Sequence, residues 1–100
     1  MAHALAAETD IERRILALRT VSRVYPLSTA SAVLRSVAAR GEGASRVEVR
    51  DGVVRVAIGT AAGSIARQVA HDVHELAVEA MAAHGLRFVR TEVEIATVEI

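Results

Sequence analysis

The chain has 100 residues, with 12 arginines, no lysine, 12 carboxylates, no cysteine and a formal net charge of zero. A chain of this length forms one small domain that buries about 65% of the surface its unfolded form exposes, and zero net charge leaves no general electrostatic drive toward nucleic acid or an anionic membrane. The missing cysteines exclude disulfides, thiolate nucleophiles and Cys-type zinc sites, and the missing lysines exclude a Schiff base or a phosphate-binding P-loop.

Met1 to Ala7 is apolar but carries no basic n-region and is too short for a secretory signal. Residues 1–8 read as a frayed start. Thr9-Asp10-Ile11-Glu12 then has capping-box spacing and predicts a helix beginning there, with Ile11, Ile15 and Leu18 on its apolar stripe and Glu12, Arg13 and Arg19 turned away. Pro26, preceded by Tyr25, interrupts this helix or follows its end. Ser28 or Thr29 caps a second helix with Val33, Leu34 and Val37 inward, and Gly41 closes it. Residues 9–41 thus form a helical half.

The strongest local signal follows. Arg46 to Arg50 and Val53 to Ile58 flank Asp51-Gly52, the dipeptide favoured by two-residue hairpin turns of type I′. Pairing outward from the turn sets Arg50 against Val53, Val49 against Val54, Glu48 against Arg55 and Val47 against Val56. In this register apolar residues meet on one face and an acid meets a base on the other. From about Ala62 to Ala83 the period returns to 3.6, with Ile65, Val69, Val73, Leu76 and Ala80 on one stripe opposite Arg67, Gln68, His71, Glu75 and Glu79. Gly85 ends this helix. Val89, Thr91, Val93 and Ile95 then alternate with Arg90, Glu92, Glu94 and Ala96 as a third strand, and the apolar phase shifts beyond Ile95, which predicts a bulge or break near Ala96-Thr97.

The expected fold class is α+β: a single domain over residues 1–100, in the order α-α-β-β-α-β, with residues 45–100 supplying the hairpin, the long helix and the final strand. Two layers, a three-stranded mixed or antiparallel sheet with helices on one face, hide these stripes most simply. Apolar residues make up 52% of the chain, and 20 of them are alanine, so small side chains line helix faces against a valine-rich sheet and leave little room for a substrate.

His71, His74 and Glu75 present N, N and O ligands on one helical strip, the spacing a metal would use. Neither zinc-protease order, HExxH or HxxEH, is present, and His71 lies on the polar side, where solvated histidines are common, so no metal or other cofactor is assigned. Ser64 stands where a helix-capping serine belongs rather than a nucleophile, and the loop from Gly59 to Gly63 carries no G-x-G-x-x-G pattern, so no catalytic residue is assigned either. The solvent face of the sheet is the candidate interaction surface, carrying Arg46, Glu48, Arg50, Arg55, Arg90 and Glu92 together with the apolar Val53 and Ala57. Its interleaved acids cancel the field a nucleic acid needs, and only Phe88 is available there to stack a base.

Asp51-Gly52-Val53-Val54-Arg55-Val56, Gly63-Ser64-Ile65, the helical pattern Val69-Ala70, Val73, Glu79, and Gly85-Leu86 followed by Val89, Val93-Glu94-Ile95 and Val98 together resemble the bacterial alkaline shock protein family. The resemblance covers roughly the last 55 residues. This chain departs from the family in its short run between Ile58 and Gly63, where a longer strand ending in an aromatic-glycine step is usual, and in lacking a Pro-Gly-Val-like step after the first helix. Its lysine-free, arginine- and alanine-rich usage resembles a divergent member from a high-GC actinobacterial genome. The resemblance implies a cytoplasmic, non-enzymatic scaffold of the cell-envelope stress response. Such a protein self-associates or docks on a small membrane-anchored partner, lying at the membrane through that partner without inserting. The alternative is a KH-like RNA- or ribosome-associated factor, because α-β-β-α-β orders also occur there, although no GxxG loop is present.

Overall fold

The structure, a computed structural model, describes residues 3–26 and 46–98. The expected second helix and the loop from Gly41 to Ser45 lie outside the described residues. Among those described, the order is α1 (His3–Leu16), β1 (Val21–Tyr25), β2 (Glu48–Arg50), β3 (Val53–Thr60), α2 (Ala66–Ala83) and β4 (Arg90–Val98). The fold is α+β; the four described strands, one more than the three expected, form one mixed sheet, and the two described helices pack on the same face.

The first helix starts at His3, ahead of the expected capping box and within the stretch expected to fray. Ala7, Ile11 and Ile15, four apart, are fully buried against the sheet, and this tertiary burial carries the helix through Thr9. The Thr9 hydroxyl donates to the Leu5 carbonyl at 3.2 Å instead of capping an N-terminus. The helix closes in a tight turn, Leu18 N–H to the Ile15 carbonyl at 3.0 Å, and the chain passes directly into β1.

The first strand replaces what reads in sequence as more helix. Val21 pairs with Thr60, but the next partners are Arg23 with Gly59, Val24 with Ile58 and Tyr25 with Ala57, so Ser22 is an extra residue in the ladder. This bulge lets Val21 and Val24, three apart, both face the core. A spacing of three is also a helical spacing, which is why the strand is hidden in the sequence.

The third strand is the centre of the sheet. Along one edge it pairs antiparallel with β2 through residues 53–55 and with β1 through residues 57–60, so β1 and β2 lie end to end. Along the other edge β4 runs parallel to it, from Val53 opposite Arg90 to Thr60 opposite Val98. The hairpin register is the expected one, Arg50 with Val53, Val49 with Val54 and Glu48 with Arg55. Positive φ at both Asp51 (52°) and Gly52 (80°) matches the type I′ turn. In β4, Ile95 faces Ile58 but Thr97 faces Gly59, so the expected bulge falls on Ala96.

Gly63, at φ 82°, and a Ser64 N–H to Ala61 carbonyl bond of 3.1 Å make a tight turn after β3 that delays the long helix to Ala66. Ile65 occupies the N-cap position with no side-chain cap, so neither the expected start at Ala62 nor a Ser64 cap is present. Ile65 is 69% exposed rather than on the buried stripe, which runs through Val69, Val73, Ala77, Ala80 and Met81. At the other end Gly85, at φ 69°, donates to the Ala82 carbonyl and Leu86 to the Met81 carbonyl, a complete Schellman closure.

Candidate interaction surface

Val54, Val56 and Ile58 point to the helices, so the odd residues of β3 and their neighbours form the outer face of the sheet. Reading across this face, Arg50, Val53 and Arg90 make one row, and Glu48, Arg55 and Glu92 the next. Tyr25, Ala57 and Glu94 follow, and Arg23 lies beside Gly59 in the last. Charge therefore changes sign both along and across the strands.

Arg55 sits at the middle of the second row, 3.4 Å from Glu48 and 3.2 Å from Glu92, and Arg90 approaches Glu92 at 2.7 Å. The arginines remain solvated, with side chains 49% exposed at Arg55 and 61% at Arg90. Pairs this wet contribute little to stability, typically about 0.2–1 kcal/mol each, so their alternation shapes the surface potential more than it holds the fold.

Five of the eight expected surface residues, Glu48, Arg50, Arg55, Arg90 and Glu92, thus lie on this face beside a half-buried Val53. The other two do not present accessible side chains on this face. Ala57 is only 3% exposed, because its short side chain lies between Tyr25 on β1 and Glu94 on β4. Arg46 is drawn to the helical side, where its guanidinium donates to Glu12 at 2.8 Å and to the Val24 carbonyl at 3.0 Å. Phe88, expected on the outer face, is half-buried against His74, with ring centroids 5.5 Å apart. The aromatic residue the face does carry is Tyr25, with the Arg23 guanidinium 5.9 Å from its ring centre. Hidden inside a misread helix, Tyr25 gave no signal in sequence; only a strand reading of 21–25 reveals it.

The edge along β2 is sealed from the helical side. Glu8 and Glu12, one turn apart on α1, accept the backbone N–H groups of Val49 (2.8 Å) and Arg46 (2.6 Å). Carboxylates here occupy donors that would otherwise recruit another strand. Further along α1, Asp10 ties the two helices together. Its carboxylate accepts from Arg14 at 3.1 Å and Arg13 at 2.5 Å and lies 2.9 Å from His84 Nε2 at the end of α2. The bonds to Arg14, Arg13 and His84, in that order, hold the Asp10 carboxyl far below its ordinary range, and Asp10 in turn raises Arg14.

The histidine strip separates in space. His71 and Glu75 are exposed, whereas His74 turns toward the sheet and shares a 3.3 Å hydrogen bond with the Thr91 hydroxyl. Among the described residues no group of three or more His, Asp or Glu side chains lies close enough to hold a metal ion. No helix among them is long and apolar enough to cross a membrane. Comparison with protein-family models, with curated proteins and with solved structures finds no match to this chain.

Proposed function

We propose that this protein is a non-enzymatic, cytoplasmic interaction module of the alkaline-shock, cell-envelope stress type that self-associates or docks on a small membrane-anchored partner. The observation that carries the reading is the outer face of the sheet, where Glu48, Arg55, Glu92 and Arg90 alternate across three strands with both arginines exposed. A surface whose charge changes sign in two directions selects a partner by pattern rather than by net attraction. It suits a protein with an equally patterned surface better than a polyanion. The resemblance of residues 46–100 to the alkaline shock family points to the same class of role.

The test is a pull-down from the native host, with membrane and soluble fractions kept separate, using the natural chain and Arg55→Glu. The natural chain is expected to capture a membrane-fraction protein. The variant, which turns the central row into three acids, is expected to retain less than a tenth of that capture with an unchanged circular dichroism spectrum. A chain that captures nothing from either fraction and stays monomeric at high concentration overturns the reading. So does a gel shift with RNA that weakens as salt rises, since that behaviour belongs to the KH-like alternative.

A further inference from the structure

The two edges of the sheet are treated differently. The β2 edge is closed by Glu8 and Glu12, whereas β4, nine residues long, pairs only with β3 among the described residues. An open edge strand is a template for another strand unless bulges, prolines or inward charges block it. Here the bulge comes only at Ala96, leaving Arg90 to Ile95 regular, and the inward row of Thr91, Val93 and Ile95 carries no charge. That row is also incompletely roofed: Val93 and Ile95 are half-buried although their β3 partners, Val56 and Ile58, are at most 1% exposed.

We infer that β4 is the contact for a second copy of this chain, pairing antiparallel with its own counterpart about a two-fold axis at Glu92. The inference rests on the self-association limb of the reading above and names the surface that performs it. Charge selects the register. Centred on Glu92, the pairing sets Arg90 opposite Glu94 of the second copy, twice by symmetry, and Glu94 forms no ion pair among the described residues. The two Glu92 side chains that meet at the axis are each already held by their own Arg55 and Arg90. Centring on Val93 instead sets Glu92 against Glu94 twice. Centring on Thr91 leaves only residues 90–92 of each strand to pair. On the inward side the chosen register brings Thr91 against Val93. It also brings together the flanks of the two α2 helices, where Val78 lies one turn from His74 and is 37% exposed, so that they roof the open row.

The chain has no cysteine, so single cysteines report the geometry directly. Under mild oxidation Glu92→Cys, at the axis, is expected to form a covalent dimer at least tenfold faster than Arg50→Cys on the other edge. In sedimentation velocity Val93→Lys, an inward charge, is expected to raise the dimer dissociation constant at least tenfold. Should that variant lose its fold, Arg90→Glu supplies the same weakening and the double variant Arg90→Glu, Glu94→Arg restores it. A dimer that forms while Glu92→Cys cross-links no faster than Arg50→Cys overturns the edge assignment and leaves self-association standing. A chain that is monomeric at every concentration yet still captures a membrane-fraction protein overturns the inference alone.

Discussion

At the scale of single residues, Asp10 and Thr60 show opposite uses of a polar group under cover. Asp10 is 13% exposed and satisfied by two guanidiniums and an imidazole that reach it from both helices. Because folding depresses its pKa, Asp10 contributes stability that is fully present above its unfolded value near 4. That stability is lost as pH falls toward the much lower folded value. Asp10→Asn is therefore expected to cost about 1–2 kcal/mol at pH 7. The gap between the two proteins should narrow as chemical denaturation is repeated below pH 4. Thr60 is fully buried, and its hydroxyl has no hydrogen-bond partner among the described residues. Thr60→Val removes that cost at nearly constant shape, and denaturation should show a gain of about 1 kcal/mol.

At the scale of elements, the turns divide according to what surrounds them. Gly52 and Gly85 both hold positive φ, at 80° and 69°. A Cβ at Gly85 meets open space, whereas one at Gly52 would stand 2.7 Å from Val89 Cγ2 and 3.1 Å from the Arg87 carbonyl oxygen. Gly85→Ala should thus cost about the 1 kcal/mol of a left-handed alanine. Gly52→Ala is expected to cost at least twice as much, because the hairpin turn packs on the approach to β4. Val89 N–H donates to the Gly52 carbonyl at 2.7 Å in the same place, so an enlarged turn also disturbs the entry of the parallel strand. Thermal melts of the two variants separate the contributions of backbone and crowding.

At the scale of the whole molecule, β3 organises everything else. Among the described strands it alone is hydrogen-bonded along both edges, and its core side chains share one cluster with those of both described helices. Native-state hydrogen exchange should accordingly find its amides opening only with global unfolding. The β4 amides that point away from β3 are expected to exchange fastest among the strands at low protein concentration. They should gain protection as concentration rises if β4 meets its counterpart. The helix layer covers one face and caps amides along β2, whereas among the described residues the other face is charged and β4 pairs only with β3, and this asymmetry is a property of the assembled sheet that no single element carries.

Local alternation was enough to determine the Asp51-Gly52 hairpin, the pairing of Glu48 with Arg55 and an irregularity near Ala96-Thr97, because a two-residue period ties each side chain to a face. The Ala77 and Met81 seats, the start of α1 at His3 and β1 itself were decided by packing. Val21 and Val24 have helical spacing, and only the bulge at Ser22, opposite β3, makes them a strand. Composition and register were likewise sufficient to expect a charge-alternating face. Which arginines serve it was not legible, since Arg46 is drawn away by a glutamate 34 positions earlier. The parallel direction of β4 and its open edge also belong to the tertiary structure. Side-chain period states which face a residue shows, whereas strand order and direction depend on contacts between segments far apart in the chain.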